Sequence, residues 1–476
     1  MTPEPQPKSP RPGLHGHART SPAPRRHRAG RTTVASLLAV SGLVAVLGTP
    51  GQAEASTART PNAEKATTFS ADVVPTNAAP VSGPSPAAGY YARPGSKAQQ
   101  RARLDRLARA LVAAGAPGVI VRVDDGRGEP IEIAEQATWT LRDHRIQVDD
   151  EVRMGSNTKT MMATLVLQLV GEGKLTLTDP VDKWLPGRIP NGRAITLRML
   201  LNHTSGLFDY TQDPVMLTSI LGTDRRPRSA AQLLDLGTGH DPLFAPGSSW
   251  SYSNTGYIAV GAVLEKVTGQ SLADLVQDRI ARPLRLKDTY LATGSTWRGP
   301  HAHGYEPDAA HMPPDVPDEL RNYGGARHDG HVDVSANSPW WAGAAGAVVS
   351  SAADWDRFYN ALFAGKLLPA AQLAQMRATV PIFPDQPDGP GYGLGIETGQ
   401  TACGTVWSHD GGIPGYLTTN ATDPTGTRTA SIVILTEAFA ETQTAFPELA
   451  RAAQELQTAA VCGMFDKSAP AAPSAE

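Results

Sequence analysis

A serine and a lysine three residues apart, Ser156 and Lys159, stand where the apolar run "MMATLVLQLV" begins. Three residues is close to one helical turn, so on a helix the two side chains share a face. A serine hydroxyl is a poor nucleophile until a neighbour takes its proton, and a lysine does that only when held neutral. Met161, Met162, Leu165, Val166, Leu167, Leu169 and Val170 leave the following helix almost no polar face, which predicts burial. Burial disfavours the charged form of a lysine. Ser156 would also lie at the positive end of the helix dipole, which favours developing negative charge. Alone, the pair serves equally as a helix cap and a charge that reaches water. A match of this kind arises about once by chance in a chain of this length.

Two further groups have chemistry to offer. "SYSN" at 251–254 places Tyr252 and Asn254 at a loop-to-helix junction. A phenol there can shuttle a proton and an amide can bind a carbonyl, but Asn254 would also suit an N-cap and Tyr252 the core. "SHDGG" at 408–412 ends a predicted strand. Its glycines allow close backbone approach and an N–H aimed at an oxyanion, or simply a hairpin turn. The G-x-S-x-G elbow and the H-E-x-x-H zinc helix are missing from the sequence, and "HAH" at 301–303 lacks the ligands that would complete a metal site. His203, in "HTSG", is expected to bond to backbone in a turn.

The elements that must position these residues follow from periodicity. Ser96 reads as the cap of a helix carrying Leu104, Leu107, Leu111 and Val112 on one stripe, ended by Gly115. "GVIVRVDD" (118–125) and "PIEIAEQATW" (130–139) read as paired strands. Helix and loop dominate from there to about residue 350, and 306–338 reads as a long polar loop. Strands return as "GTVWSHD" (404–410), "GYLTTNATD" (415–423) and "RTASIVILT" (428–436), an antiparallel meander, before a helix over about 441–460. The fold class expected is α/β of the α+β type. One antiparallel sheet is built from N- and C-terminal segments, flanked by helices, with a mostly helical region inserted between them.

In the order S-x-x-K, Y-x-N, H-x-G, the three groups resemble the serine penicillin-recognising enzymes. The branch is that of class C β-lactamases and secreted D-alanyl-D-alanine carboxypeptidases. The resemblance covers about 97–462 and extends to "RMGSNTKT", "LLNHTSGL", "FAPGSSWSYSNTGYIAVGAVLEKVTG", "GYGLG" (391–395) and "HDGGIPGY" (409–416). The carboxypeptidases of actinomycetes look most similar, because their third motif also carries His. The resemblance implies a β-lactamase/DD-peptidase-like fold and an acyl-enzyme on Ser156. It makes Lys159 the aid to deprotonation and Tyr252 the relay to the leaving group. Asn254 would hold the acyl side chain, and His409 would orient Tyr252 and lend positive potential when protonated. The backbone N–H groups of Ser156 and Gly412 would form the oxyanion hole, with Asp410 and Gly411 also lining the substrate. No metal or organic cofactor is implied. The leading activity the resemblance implies is that of a D-alanyl-D-alanine carboxypeptidase on peptidoglycan stem peptides, with β-lactams as covalent ligands. An esterase or β-lactamase on a small ester or amide is the runner-up, and a non-catalytic binding module is the competing class. One position departs: the family carries Thr or Ser between His and Gly, where a hydroxyl helps bind the substrate carboxylate, and here it is Asp410. No Lys or Arg occurs from Gly393 to Ser408 to offset it. Unless Asp410 points away along the alternating strand, a neutral ester or amide fits better than a peptide ending in D-alanine.

Composition sets the surroundings. Residues 1–31 are basic and Pro-rich, "TTVASLLAVSGLVAVLG" follows at 32–48, and "AEAS" at 53–56 offers a cleavage site after Ala55. This describes a secretory signal peptide over 1–55, then an Ala/Pro-rich linker over 56–95, a hydrolase domain over 96–462 and a disordered tail over 463–476. The product is expected outside the cell as a monomer, with no stable membrane span once the leader is cut. The whole chain carries −3, and residues 1–55 hold seven Lys/Arg against two Glu, so the remainder is near −8. An acidic protein has no electrostatic footprint for nucleic acid. Cys403 and Cys462 are the two cysteines, and in an exported chain such a pair argues for one disulfide.

Overall fold

The structure, a computed structural model, describes residues 96–467 apart from 315, 384–385 and 439–445. The expected leader, the linker and residues 468–476 of the expected tail lie outside the described residues. Helix α1 (Lys97–Ala113) starts at a capping box: Ser96 Oγ accepts from the Gln99 N–H, and Gln99 Oε1 accepts from the Ser96 N–H at 2.8 Å. Leu104, Ala108 and Leu111 form its buried stripe. The chain reverses at Gly115, whose φ of 114° suits only glycine, and enters β1 (Gly118–Asp124) and β2 (Ile131–Gln136).

The other strands of this sheet come from the far end of the chain. They are β3 (Val380–Pro381), β4 (Gly391–Tyr392), β5 (Glu397–Thr401), β6 (Gly404–Ile413), β7 (Tyr416–Thr422) and β8 (Thr429–Ile434). All pair antiparallel in the order β2-β1-β8-β7-β6-β5-β4-β3. β1 lies against β8 with Val121 opposite Ile432, so the two ends of the domain meet in the middle of one sheet, as expected.

Between them lies the helical region. Helix α2 (Thr158–Gly171) is buried along nearly its whole length, as its apolar sequence predicts. It packs with α3 (Asn254–Thr268) and, through α4 (Ala352–Phe363), against one face of the sheet. The other face is covered by α1 and α5 (Pro447–Met464). Strand alternation divides the strands between the two cores: Val119, Val121 and Val123 face α1 and α5, while Ile120 faces α2. With both faces covered, strands such as β8 are buried at every position.

Three differences from expectation have local causes. The segment 306–338 is not only loop, because Tyr305–Pro307, His331–Asp333 and Ala326–His328 form a small sheet of strands too short to show periodicity. The last helix begins at Pro447, a residue that suits a first turn, rather than near 441. Ordered structure also continues past residue 462, where Lys467 Nζ donates to the Cys403 carbonyl at 2.9 Å. The expected disulfide joins Cys403, just before β6, to Cys462 on α5.

Candidate active site

Ser156 lies in a tight turn (Gly155–Asn157) that feeds α2. It is not the helix cap: the N-cap position falls to Asn157, and no side chain makes a capping bond there. Gly155 has φ 49°, and a Cβ on it would run into the backbone of Gly411 and Gly412. That close approach sets the nucleophile's turn directly against β6. Asn157 fastens the turn to the sheet, with Nδ2 donating to Thr418 Oγ1 at 2.8 Å and Oδ1 accepting from Asn420 Nδ2 at 3.1 Å.

Lys159 does not reach water, being fully buried. Its Nζ lies 2.9 Å from Ser156 Oγ, 2.8 Å from Asn254 Oδ1 and 2.8 Å from the Ala345 carbonyl. Burial pushes its pKa down to about 7, against the pull of the nearby Asp209 and Glu397 carboxylates. At neutral pH a large share of Lys159 is therefore an amine. Two of its hydrogens meet acceptors that can only accept, the Asn254 amide oxygen and the Ala345 carbonyl, which leaves the lone pair for Ser156. Asn254 is not a cap either. Its Nδ2 donates to Asp209 Oδ2 at 2.8 Å, so its amide is locked between a carboxylate and the lysine. Its hydrogen bonds to Lys159 and Asp209 place it to orient Lys159.

Tyr252 sits beside this pair, with the Lys159 Nζ 4.7 Å from its ring centre and Ser156 among the groups that act on its hydroxyl. Burial raises its pKa well above the usual phenol value, so it stays protonated. The His203 ring lies tilted against it, centroids 4.3 Å apart, and, as expected, bonds to backbone, accepting the Ser253 N–H on Nδ1 at 3.1 Å.

His409 corrects one expectation. Its Nδ1 donates to the Asp410 carbonyl at 2.6 Å, so Nε2 is the acceptor, and it takes the Tyr392 hydroxyl at 2.9 Å. Burial, with Lys159 nearby, pushes it down to about 3. His409 is a neutral ring that holds Tyr392, and it lends no positive potential at neutral pH. Its ring centre is 6.5 Å from that of Tyr252.

β6 runs through "SHDGG" without turning; the hairpin comes later, between Ile413 and Tyr416. On this strand Asp410 pairs with Thr419, whose hydroxyl accepts from Gln457 on α5. His409 pairs with Asn420, which reaches Asn157 on the nucleophile side. Alternation thus turns the Asp410 side chain to the face away from Lys159.

Sequence reasoning missed Asp209, Tyr392, Asn157 and the buried Glu397, which burial and the Asp410 charge push up to about 8. Tyr392 lay in the quoted "GYGLG" and Asn157 in the quoted "RMGSNTKT", while Asp209 falls just after "LLNHTSGL"; none has a chemical signature of its own. Among the described residues no group of three or more His, Cys, Asp or Glu could hold a metal ion, and no helix is long and apolar enough to cross a membrane. His303 of "HAH" bonds to Asp333 at 2.7 Å.

A family model described as Beta-lactamase matches residues 104–457. Penicillin-binding protein 4* of Bacillus subtilis is 32% identical over 278 residues, 56% of this chain and 56% of that protein. Esterase EstB of Burkholderia gladioli is 37% identical over 150 residues, 29% of this chain and 38% of its own. The chain thus spans only part of the length of either relative. A D-stereospecific amidohydrolase from Streptomyces sp. has a similar fold, with TM-score 0.62 and 35% identity, covering 73% of this chain and 98% of its own.

Proposed function

The chain belongs to the Beta-lactamase family, whose members are serine hydrolases, and from that premise we propose that it cleaves small amides or esters, D-amino-acid amides first among them. The observation that carries the reading is the buried Lys159 amine, bonded to two fixed acceptors and to Ser156 Oγ at 2.9 Å. In this reading Lys159 takes the Ser156 proton as Oγ attacks the substrate carbonyl. Its depressed pKa and the raised pKa of Tyr252 make the lysine the base and the phenol the acid. The oxyanion accepts from the N–H groups of Ser156 and Gly412. Tyr252 then protonates the departing nitrogen or oxygen and regains a proton from Lys159. In the second half a water gives its proton to the neutral Lys159 as it attacks the ester carbonyl, and that proton returns to Ser156 Oγ as the acid leaves. The leader over 1–55 would put this chemistry outside the cell.

With the Asp410 side chain turned away, the preference for substrates without a carboxylate beside the scissile bond is supported by the hydroxyl missing at position 410, where the family has one, rather than by the Asp410 charge. A second reading, D-alanyl-D-alanine carboxypeptidase, is favoured by His409 in the third motif and by the likeness to penicillin-binding protein 4*. The test is to offer residues 56–476 and a Ser156→Ala variant a D-amino-acid p-nitroanilide, a peptide ending in D-Ala-D-Ala and a fluorescent penicillin. Ser156-dependent release of nitroaniline with no D-alanine released supports the first reading. Release of D-alanine with lasting penicillin label supports the second, and no Ser156-dependent reaction on any of them rejects both.

A further inference from the structure

We propose that Glu437 selects the charge of the group beside the scissile bond, favouring a substrate ammonium over a carboxylate; this rests on the amide-hydrolase reading above. Glu437 follows β8, and its side chain reaches the Cβ position of Gly412 on β6. A Cβ added at Gly412 would overlap Glu437 Oε1, with Cδ at 3.2 Å and Cγ at 3.6 Å. Gly412 is not among the glycines with positive φ, so its missing side chain makes space rather than a backbone turn. The carboxylate fills that space, which keeps Oε1 within about 5 Å of the Gly412 nitrogen by covalent geometry. That nitrogen is the donor assigned to the oxyanion.

The position is held from beneath. Glu306 is fully buried and accepts from the N–H of Glu437 at 2.9 Å, the N–H of Ala438 at 3.0 Å and the hydroxyl of Thr436 at 3.1 Å. It also accepts from the Gly415 N–H at 2.6 Å, in the turn that ends β6. One buried carboxylate therefore fixes both the oxyanion strand and the segment that carries Glu437. Glu437 itself is half-buried, and Asp410 lies on the same face two positions before Gly412. The Glu437 carboxylate therefore stands beside the Gly412 N–H, on the strand that also carries His409. A carboxylate so near the oxyanion donor opposes the charge that forms in the transition state. An ammonium on the substrate beside Glu437 is attracted to it. The ligand class that fits is a compound with a free amine next to the carbonyl, as in an amino-acid amide.

The test compares kcat/KM of the wild type and Glu437→Gln on three substrates: D-alanine p-nitroanilide, its N-acetyl derivative and p-nitrophenyl acetate. The expected result is a loss of at least tenfold on the free amine, with the acetylated amide and the ester changed by less than twofold. Glu437→Asp should restore part of the loss. An equal loss on all three substrates would mean a purely structural role and overturn the assignment, as would no change on any. A wild type that cleaves none of them in a Ser156-dependent way would overturn the proposed function, and the assignment with it.

Discussion

The two faces of the sheet are buried equally well and by different means. Toward α1 and α5 the contacts are Val, Leu, Ile and Ala, closed by the Cys403–Cys462 bridge. Toward α2 the same depth holds Lys159, Asn157, Asp209, Glu397 and His409, all under a tenth exposed. The first face is stabilised by removing apolar surface from water. The second must give each polar group a partner, because an unpaired one is costly. The lesson is that one face can lose a side chain and still hold its shape, whereas the other couples every change to the protonation of its neighbours.

That contrast can be broken or sharpened by experiment. The largest effect is expected from Ser156→Ala, which should abolish acylation, a loss of at least about 10⁴-fold in kcat/KM, with the melting temperature nearly unchanged. Lys159→Met should cost about 10³-fold in kcat/KM and also lower stability, because it strands the acceptors Asn254 and Ala345. If denaturant titration shows no stability loss in that variant, the coupling claimed for this face is wrong. On the opposite face, replacing both cysteines by serine should lower stability by about 4 kcal/mol in the chain-entropy model for a separation of 59 residues, with kcat kept. Leu456→Ala, fully buried on α5, should lower it by about 3 kcal/mol, again without a change in pH profile. The smallest effect is a shift of pH dependence. Activity should rise as pH passes through about 7, as Lys159 loses its proton. Asp209 raises the Lys159 pKa, so Asp209→Asn should move that rise to lower pH by roughly one unit.

The apolar face was legible from periodicity alone: the Ser96 cap, the stripe on α1 and the meander of β6, β7 and β8 stand close to where the sequence puts them. The polar face was legible as motifs, in that Ser156, Lys159 and Tyr252 are found side by side. Its internal wiring was not, because a hydrogen bond between residues far apart in the chain leaves no periodic trace. Asn254 was read as a cap or a substrate contact and is found holding Lys159. His409 was read as a positive group, since nothing in its own motif reveals how deeply it is buried. Glu306 was assigned to a loop, yet it anchors the turn after the oxyanion strand.

The meeting of β1 with β8 has a further consequence, for the order in which the protein becomes competent. Strand pairing between distant parts of a chain closes long loops and slows folding. During synthesis Ser156 and Lys159 emerge early, but Gly412 and Asn420, which complete the site and fasten its turn, come from the last quarter of the sequence. Until β6 and β7 have left the ribosome and docked, the serine has no oxyanion strand beside it. On the proposed mechanism, a nascent or truncated chain would therefore carry its serine without the means to use it, and hydrolytic activity is expected only when the whole sheet has closed.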